Sequence, residues 1–302
     1  MPQQDTVYKY TSENAARLII ANRTLRFGRP SAMNDPFDIN IDDLFETALT
    51  DWRNAEVAIL VDTLSANPAE YAERVGVPED AIAISGIINA GTAAHREELL
   101  ALLTSPVIED MYPQWKATLD ALELEKSAIV TQFKNSGIFC ATRNKNNLLM
   151  WSHYADQHKG VALGFRQDVA RDSFLRLLEP VSYSNIRPKF YRPFDPLVRS
   201  TPSSDPDAMR AFTRSLTHVK STEWAYEEEV RVVDPSCIPE GQDAIFQPYY
   251  PTELVELNIG LRLTGAARDE LIAAAAALNK DVSIFQARMT AGTYSLSFER
   301  IA

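Results

Sequence analysis

The segment Trp224-Ala225-Tyr226-Glu227-Glu228-Glu229-Val230-Arg231 constrains this chain more than any other. It runs into Val232-Val233, so it reads as the entry to a β-strand. Strand side chains alternate between faces. That alternation would set Glu227, Glu229 and Arg231 on one face and Trp224, Tyr226, Glu228 and Val230 on the other. Two carboxylates and a guanidinium in a row are either a solvated ladder on an exposed strand, where adjacent opposite charges contribute little, or a ledge built for chemistry. As chemistry, a carboxylate beside a sugar stabilises the positive charge that builds at an anomeric carbon, holds a ribose hydroxyl, or orients an attacking group. Arg231 would hold those carboxylates or take a phosphate bidentately.

Composition narrows the setting. Hydrophobic residues make up 45% of 302 and charged residues 24%, the balance of an ordinary globular protein. No apolar run approaches bilayer length, so no membrane role is expected. The start, Met1-Pro2-Gln3-Gln4-Asp5, does not read as a secretory leader. Two cysteines, Cys140 and Cys237, are too few for a disulfide framework or a four-thiolate metal site. Together these favour a cytoplasmic location. The net charge is −11, and it is concentrated: Asp42 to Lys126 holds 17 acids and 5 bases, leaving 24 acids and 25 bases elsewhere. A near-neutral body with one acidic segment argues against non-specific nucleic-acid binding but allows a local cationic pocket for a phosphorylated ligand.

The pattern along the chain is α+β. Strands are expected at Val7–Tyr10, Thr24–Phe27, Gly137–Thr142, Val161–Phe165, Pro180–Tyr183, and near 229–234, 245–249, 254–260, 282–287 and 294–300. Helices are expected over Asn14–Asn22, Leu148–Gln157, Asp207–Lys220 and Ala266–Leu278. Residues 42–127 carry helical periodicity interrupted by Pro68, Pro78, Pro106 and Pro113. They read as an acidic helical insertion within a single α+β domain spanning 1–302. Residues 185–206 read as a long surface loop.

Three further clusters compete with plainer readings. Met150-Trp151-Ser152-His153-Tyr154 is either an aromatic packing face or a ligand-facing helix. Its two histidines, His153 and His158, are five apart, the wrong spacing for two metal ligands on one helical face, so no metal site is expected. Asn34-Asp35-Pro36-Phe37-Asp38 is either a structural turn or a loop presenting Asn34 and Asp35 to a pocket. Tyr8-Lys9-Tyr10 by itself suits an amphipathic strand. Cys140 lies in an apolar run and reads as a packing residue. Dinucleotide-fold glycine signatures, a phosphate loop and a nucleophile elbow are all missing.

Taken in order, Tyr8-Lys9-Tyr10, Phe27 through Asp38, Cys140-Ala141-Thr142, Met150 through Val161 and Trp224 through Arg231 resemble the bacterial domain of unknown function family 2971. Its members show an L-Y-K-Y-like start, an F-x-x-P-x-x-x-N-D-P-F-D turn, an M-W-S-H-Y-A-D-x-H-K-G-V segment and a late W-x-Y-E-x-E-x-R. The acidic segment is the part this resemblance covers least. More distantly, the arrangement is similar to the ADP-ribosyltransferase fold, in which NAD lies in the cleft of a split, mixed and largely antiparallel β-sheet.

That second resemblance implies roles. Tyr8, Lys9 or Tyr10 would supply the first-strand contact to ribose, where that fold ordinarily has Arg or His. His153 and Tyr154 would supply the middle motif. Glu229 would be the late glutamate, with Glu227 as its helper. The activity implied is NAD consumption, with NAD or a related nucleotide as substrate and a macromolecule or water as acceptor; whether it serves a toxin or phage-defence system is left open by the sequence. Loss of such a carboxylate is expected to cut turnover by about two or more powers of ten while folding survives. The contrasting readings are a non-catalytic nucleotide- or protein-binding sensor that uses the acidic insertion to dock a basic partner, and a nuclease-like site with Asp35, Asp38 and the late glutamates around a divalent ion.

Overall fold

The computed structural model describes residues 6–39, 97–98, 100–101, 105–111, 113–187 and 206–302. In chain order its elements are β1 (Val7–Thr11), α1 (Glu13–Asn22), β2 (Thr24–Gly28), α2 (Pro106–Met111), α3 (Pro113–Asn135), β3 (Gly137–Thr142), α4 (Leu148–Tyr154), β4 (Val161–Phe165), β5 (Glu179–Pro180), β6 (Ser182–Tyr183), α5 (Pro206–Thr217), β7 (Val219–Lys220), β8 (Glu229–Asp234), β9 (Ala244–Pro248), β10 (Leu254–Ile259), α6 (Gly265–Leu278), β11 (Ser283–Met289) and β12 (Leu296–Arg300). The chain divides into two units, 1–39 with 134–187 and 217–302, and 40–133 with 188–216. Most of the acidic insertion read over 42–127, and most of the loop read over 185–206, lie outside the described residues. None of the described helices is long and apolar enough to cross a membrane.

The first unit is an α+β body on a mixed sheet. Its strands run β12-β11-β10-β4-β1-β3-β2-β9, with β8 on β3 and β5 on β8. Among the described residues β10 and β11 are the parallel pair of this sheet, and β6 and β7 pair in parallel outside it. The organising strand is β3. One edge carries β8 along its whole length, from Gly137↔Asp234 to Thr142↔Glu229. The other edge is shared: β1 meets it at Tyr8↔Thr142 and β2 at Gly28↔Ile138. Between those two contacts β1 and β2 diverge, and a cleft opens beside β3.

Period-two alternation sorts the side chains as pattern reading expects. Phe139 and Ala141 of β3 and Val230 and Val232 of β8 enter the main core with Val7, Leu163 and Leu257, covered by Ala16 and Ile20 of α1 and Leu271 and Ala275 of α6. Tyr8 and Tyr10, on the alternate face of β1, join Met150, Trp151 and Ala155 in a second cluster. Trp151 is fully buried, edge-on to Tyr10 at 5.1 Å, and its indole N–H donates to the Lys145 carbonyl at 2.9 Å.

Three local expectations need correction. The strand entry read over Trp224–Glu228 is a 3-10 helix, Thr222–Glu227, capped by Ser221 and closed by Glu228 in the left-handed region at φ 45°. The helix read to Lys220 stops at Thr217, because Val219 and Lys220 pair with Ser182 and Tyr183. The helix read to Gln157 stops at Tyr154, and Asp156, Gln157 and His158 all have positive φ.

That left-handed turn allows a close backbone approach. A Cβ on Gly160 would lie 2.1 Å from the Thr11 carbonyl oxygen, and one on Gly260 would lie 2.3 Å from that of His158. Both obstacles are backbone atoms and cannot swing away. Gly160→Ala is therefore expected to cost about 1–3 kcal/mol or more, read as a lower urea midpoint at unchanged slope. Gly28→Ala, whose Cβ would meet only the Arg26 guanidinium at 2.9 Å, is expected to leave the midpoint nearly unchanged. Equal midpoints for the wild type and Gly160→Ala would contradict the approach.

Candidate functional site

A cavity of about 300 Å³ occupies the divergence of β1 and β2, at the small end of the usual range for ligand pockets. Among its lining residues are Tyr8, Lys9 and Tyr10 from β1, Asn34 from the turn, Tyr154 from α4, and Glu227 and Glu229. Segments more than 200 residues apart in the chain thus meet at one wall.

Beneath the carboxylates lies a buried charge network. Glu227, Glu229, Arg231, Asp38 and Lys220 are all buried, with Arg231 at 0% exposure. Arg231 and Glu229 share a face of β8, two residues apart. Arg231 Nε donates to Glu229 at 2.8 Å. Its two terminal nitrogens donate bidentately to Asp38 at 3.0 and 2.9 Å, and one also reaches the Thr217 carbonyl at 2.6 Å. Lys220 Nζ bridges Glu227 at 2.6 Å and Glu229 at 3.2 Å, with Asp38 at 3.7 Å. The left-handed Glu228 turns the chain so that Glu227, from the 3-10 helix, and Glu229, from the strand, reach the same ammonium.

The two glutamates are held differently. Burial pushes Glu229 up, but Arg231 and Lys220 outweigh it and set its pKa at about 2. Glu227 is moved above the ordinary range because its burial is only partly offset by Lys220 and by the Tyr154 hydroxyl, and Glu229 adds repulsion. Tyr154 donates to Glu227 at 2.6 Å and accepts from Asn34 Nδ2 at 2.6 Å. Burial and then Glu227 keep its phenol protonated. The site therefore pairs a carboxylate held in its charged form with one whose charged form burial disfavours.

The remaining sequence candidates separate. Tyr10 donates its hydroxyl to the Asn144 carbonyl at 2.9 Å, and Tyr8 is bonded to Glu256, so both hydroxyls are engaged away from any ligand. Lys9 donates to the Cys140 carbonyl at 2.8 Å, one bond from a group with three donors. His153 is exposed on the surface, edge-on to Tyr154 at 6.4 Å, and does not line the cavity. Asp35 is buried, and its carboxylate accepts from the Phe37 N–H at 2.9 Å as a turn residue. Arg231 lies behind the wall with its donors spent on Asp38, Glu229 and Thr217, so it positions carboxylates and has nothing left for a phosphate. Cys140 is only partly buried and lines the cavity; burial and the Glu229 carboxylate, to which its thiol is bonded, hold it protonated.

Lys220 and Asp38 are the residues that sequence reasoning undervalued. By pattern Lys220 ends a helix, and Asp38 belongs to a turn or to a metal site, whereas in the structure it faces Arg231 as a counter-ion. Among the described residues no group of three or more His, Cys, Asp or Glu side chains is arranged to hold a metal ion.

Burial also revises the expected cost of losing Glu229. Glu229→Gln leaves Arg231 and Lys220 short of a shared counter-charge, which costs about 3–5 kcal/mol. Glu227→Gln takes a partner from Lys220 at 2.6 Å but leaves Glu229 facing that ammonium and both carboxylates facing Arg231, so it should cost less than Glu229→Gln. The pH dependence follows. Glu229 contributes stability above its ordinary value near 4.5 that is lost as pH falls towards 2. Glu227, with its folded-state pKa raised, makes the native state gain stability as pH falls through that raised value. Urea midpoints measured against pH should therefore rise on mild acidification and collapse on strong acidification. Glu227→Gln should lack the rise; a rise that persists in that variant would remove Glu227 as its source.

No curated protein and no solved structure matches the chain. The segment that carries Trp151, Tyr154, Lys220, both glutamates and Arg231, residues 150–232, matches the model of a family described as a protein of unknown function, DUF2971.

Proposed function

We propose that this protein consumes NAD or a closely related nucleotide, breaking the bond between ribose and nicotinamide and passing the ADP-ribosyl group to a macromolecule or to water. The observation that carries the reading is the meeting of the opening strand, Tyr154 and the Glu227–Glu229 pair around one cavity, at the place where the sheet divides. The resemblance to the ADP-ribosyltransferase fold puts the nucleotide in such a cleft.

The chemistry suits the two carboxylates. As the anomeric C–N bond breaks, its electron pair passes to the pyridine ring and nicotinamide leaves neutral. Positive charge is left on the ribose carbon and ring oxygen. Glu229, ionised at every working pH, lies on the cavity wall to stabilise that charge. The acceptor hydroxyl attacks the carbon and gives up its proton to Glu227, whose raised pKa suits a general base. Tyr154 orients Glu227, and Arg231, Lys220 and Asp38 hold the carboxylates in place. Tyr8 and Tyr10 offer aromatic walls for the base or nicotinamide.

Glu227→Gln is the informative variant, because it spares the buried ion pairs around Arg231. Purified protein incubated with NAD, alone and with a cell extract as a source of acceptors, should release nicotinamide. Glu227→Gln should release it about a hundredfold more slowly while still showing a cooperative unfolding transition in urea. No release from wild-type protein under either condition, or undiminished release by the variant, overturns the reading.

A further inference from the structure

We infer that Lys9 and Arg26 form an anion subsite of this cavity that takes the phosphate group of its ligand. The inference deepens the proposed function and rests on it only for the identity of the nucleotide.

Most cations near the cavity are spent. Arg231 and Lys220 serve the buried carboxylates. Arg29 donates to the carbonyls of Gln242, Ile238 and Pro239 and to the Asn135 side chain. Lys9 and Arg26 differ. Both line the cavity, one from each of the two diverging strands. Among the described residues neither is in an ion pair. Lys9 has its single bond to the Cys140 carbonyl and lies over the Phe139 ring, 5.2 Å from its centroid. Arg26 is exposed and reaches only the Asp243 carbonyl, at 3.4 Å. Its guanidinium folds back over Gly28, so that a Cβ there would touch Arg26 Nη1 at 2.9 Å. The missing side chain at Gly28 makes room for the guanidinium at the cavity wall.

Lys9 and Arg26 are like charges on one cavity wall. Burial lowers the pKa of Lys9; Cys140 and Glu229 oppose that, Arg26 adds to it, and Glu227 opposes it more weakly. An anion between them gains charge-assisted bonds from both donors. A phosphate fits the demand better than a neutral group, since a guanidinium offers a planar pair of donors and an ammonium a point charge. With the carboxylate pair on the same cavity, the ligand class is a phosphate or diphosphate ester of a sugar, with its phosphate towards β1 and β2 and its sugar towards Glu227 and Glu229.

The test is binding by calorimetry at two salt concentrations, with ADP-ribose, adenosine and inorganic pyrophosphate as probes. Wild-type protein should bind ADP-ribose at least tenfold more tightly than adenosine, more weakly at high salt, and with pyrophosphate competing. Lys9→Met and Arg26→Met should each weaken ADP-ribose about ten- to hundredfold, leave adenosine unchanged and reduce the salt dependence. Lys9→Arg and Arg26→Lys should recover part of the loss. Gly28→Ala should weaken ADP-ribose by displacing the guanidinium while the melting temperature holds. Failure of wild-type protein to bind either phosphorylated probe, equal binding of ADP-ribose and adenosine, or unchanged affinity in both methionine variants overturns the subsite. Pyrophosphate has no glycosidic bond, so its binding supports the subsite even if NAD is never consumed. NAD turnover with unchanged KM in both methionine variants removes the subsite and leaves the proposed function standing.

Discussion

The ion cluster around Arg231 is the constraint on which the rest of this site depends. A guanidinium with no solvent contact is among the largest fully buried side chains, and its burial is tolerable only because Asp38 and Glu229 both face it. Lys220 then ties Glu229 to Glu227. Three carboxylates and two cations are drawn from the turn after β2, the short strand β7, the 3-10 helix and β8. Desolvating such charges costs several kcal/mol each, and their mutual attraction offsets that cost only with close geometry and further hydrogen bonds. Replacing the whole cluster with apolar groups would not by physical necessity destabilise the fold. Its value is in specification: each partner must arrive at its place or leave a charge unpaired.

One consequence is an unequal pair of glutamates. Glu229 has two cations and is held ionised. Glu227 shares one cation with Glu229 and feels its neighbour's charge. The outer link runs from Glu227 to Tyr154 and from Tyr154 to Asn34. A buried cluster is thereby coupled to the cavity through a phenol hydroxyl, and the aromatic packing of Trp151 against Tyr10 holds the helix that carries the phenol. Packing, charge and cavity shape therefore depend on one another across α4, β1 and β8.

Much of the frame was legible from local pattern. The strands read at Gly137–Thr142 and Val161–Phe165 have those bounds in the structure, and β8, β9 and β10 fall within a residue of expectation. Buried runs and alternation are strong signals because each depends on residues only two or four positions apart. The 3-10 helix at Thr222–Glu227 was not legible. Trp224 and Tyr226 lead towards Val230 at strand-like spacing, and the left-handed Glu228 has no Gly or Asn to announce it. Nor was β7, since two residues have no period and its pairing with Ser182 and Tyr183 lies more than thirty positions away.

By itself the sequence determined an α+β chain, the positions of its main strands and the grouping of Glu229 with Arg231 on one face, because chirality and side-chain alternation act over a few residues. Only the tertiary structure decided that this face is buried rather than solvated, that Lys220 and Asp38 supply its counter-charges, that His153 points away while Tyr154 points in, and that Lys9 and Arg26 are left facing the cavity. Those outcomes follow from desolvation and Coulomb forces. Both depend on which groups lie within a few ångströms in space, and no periodicity along the chain encodes that distance.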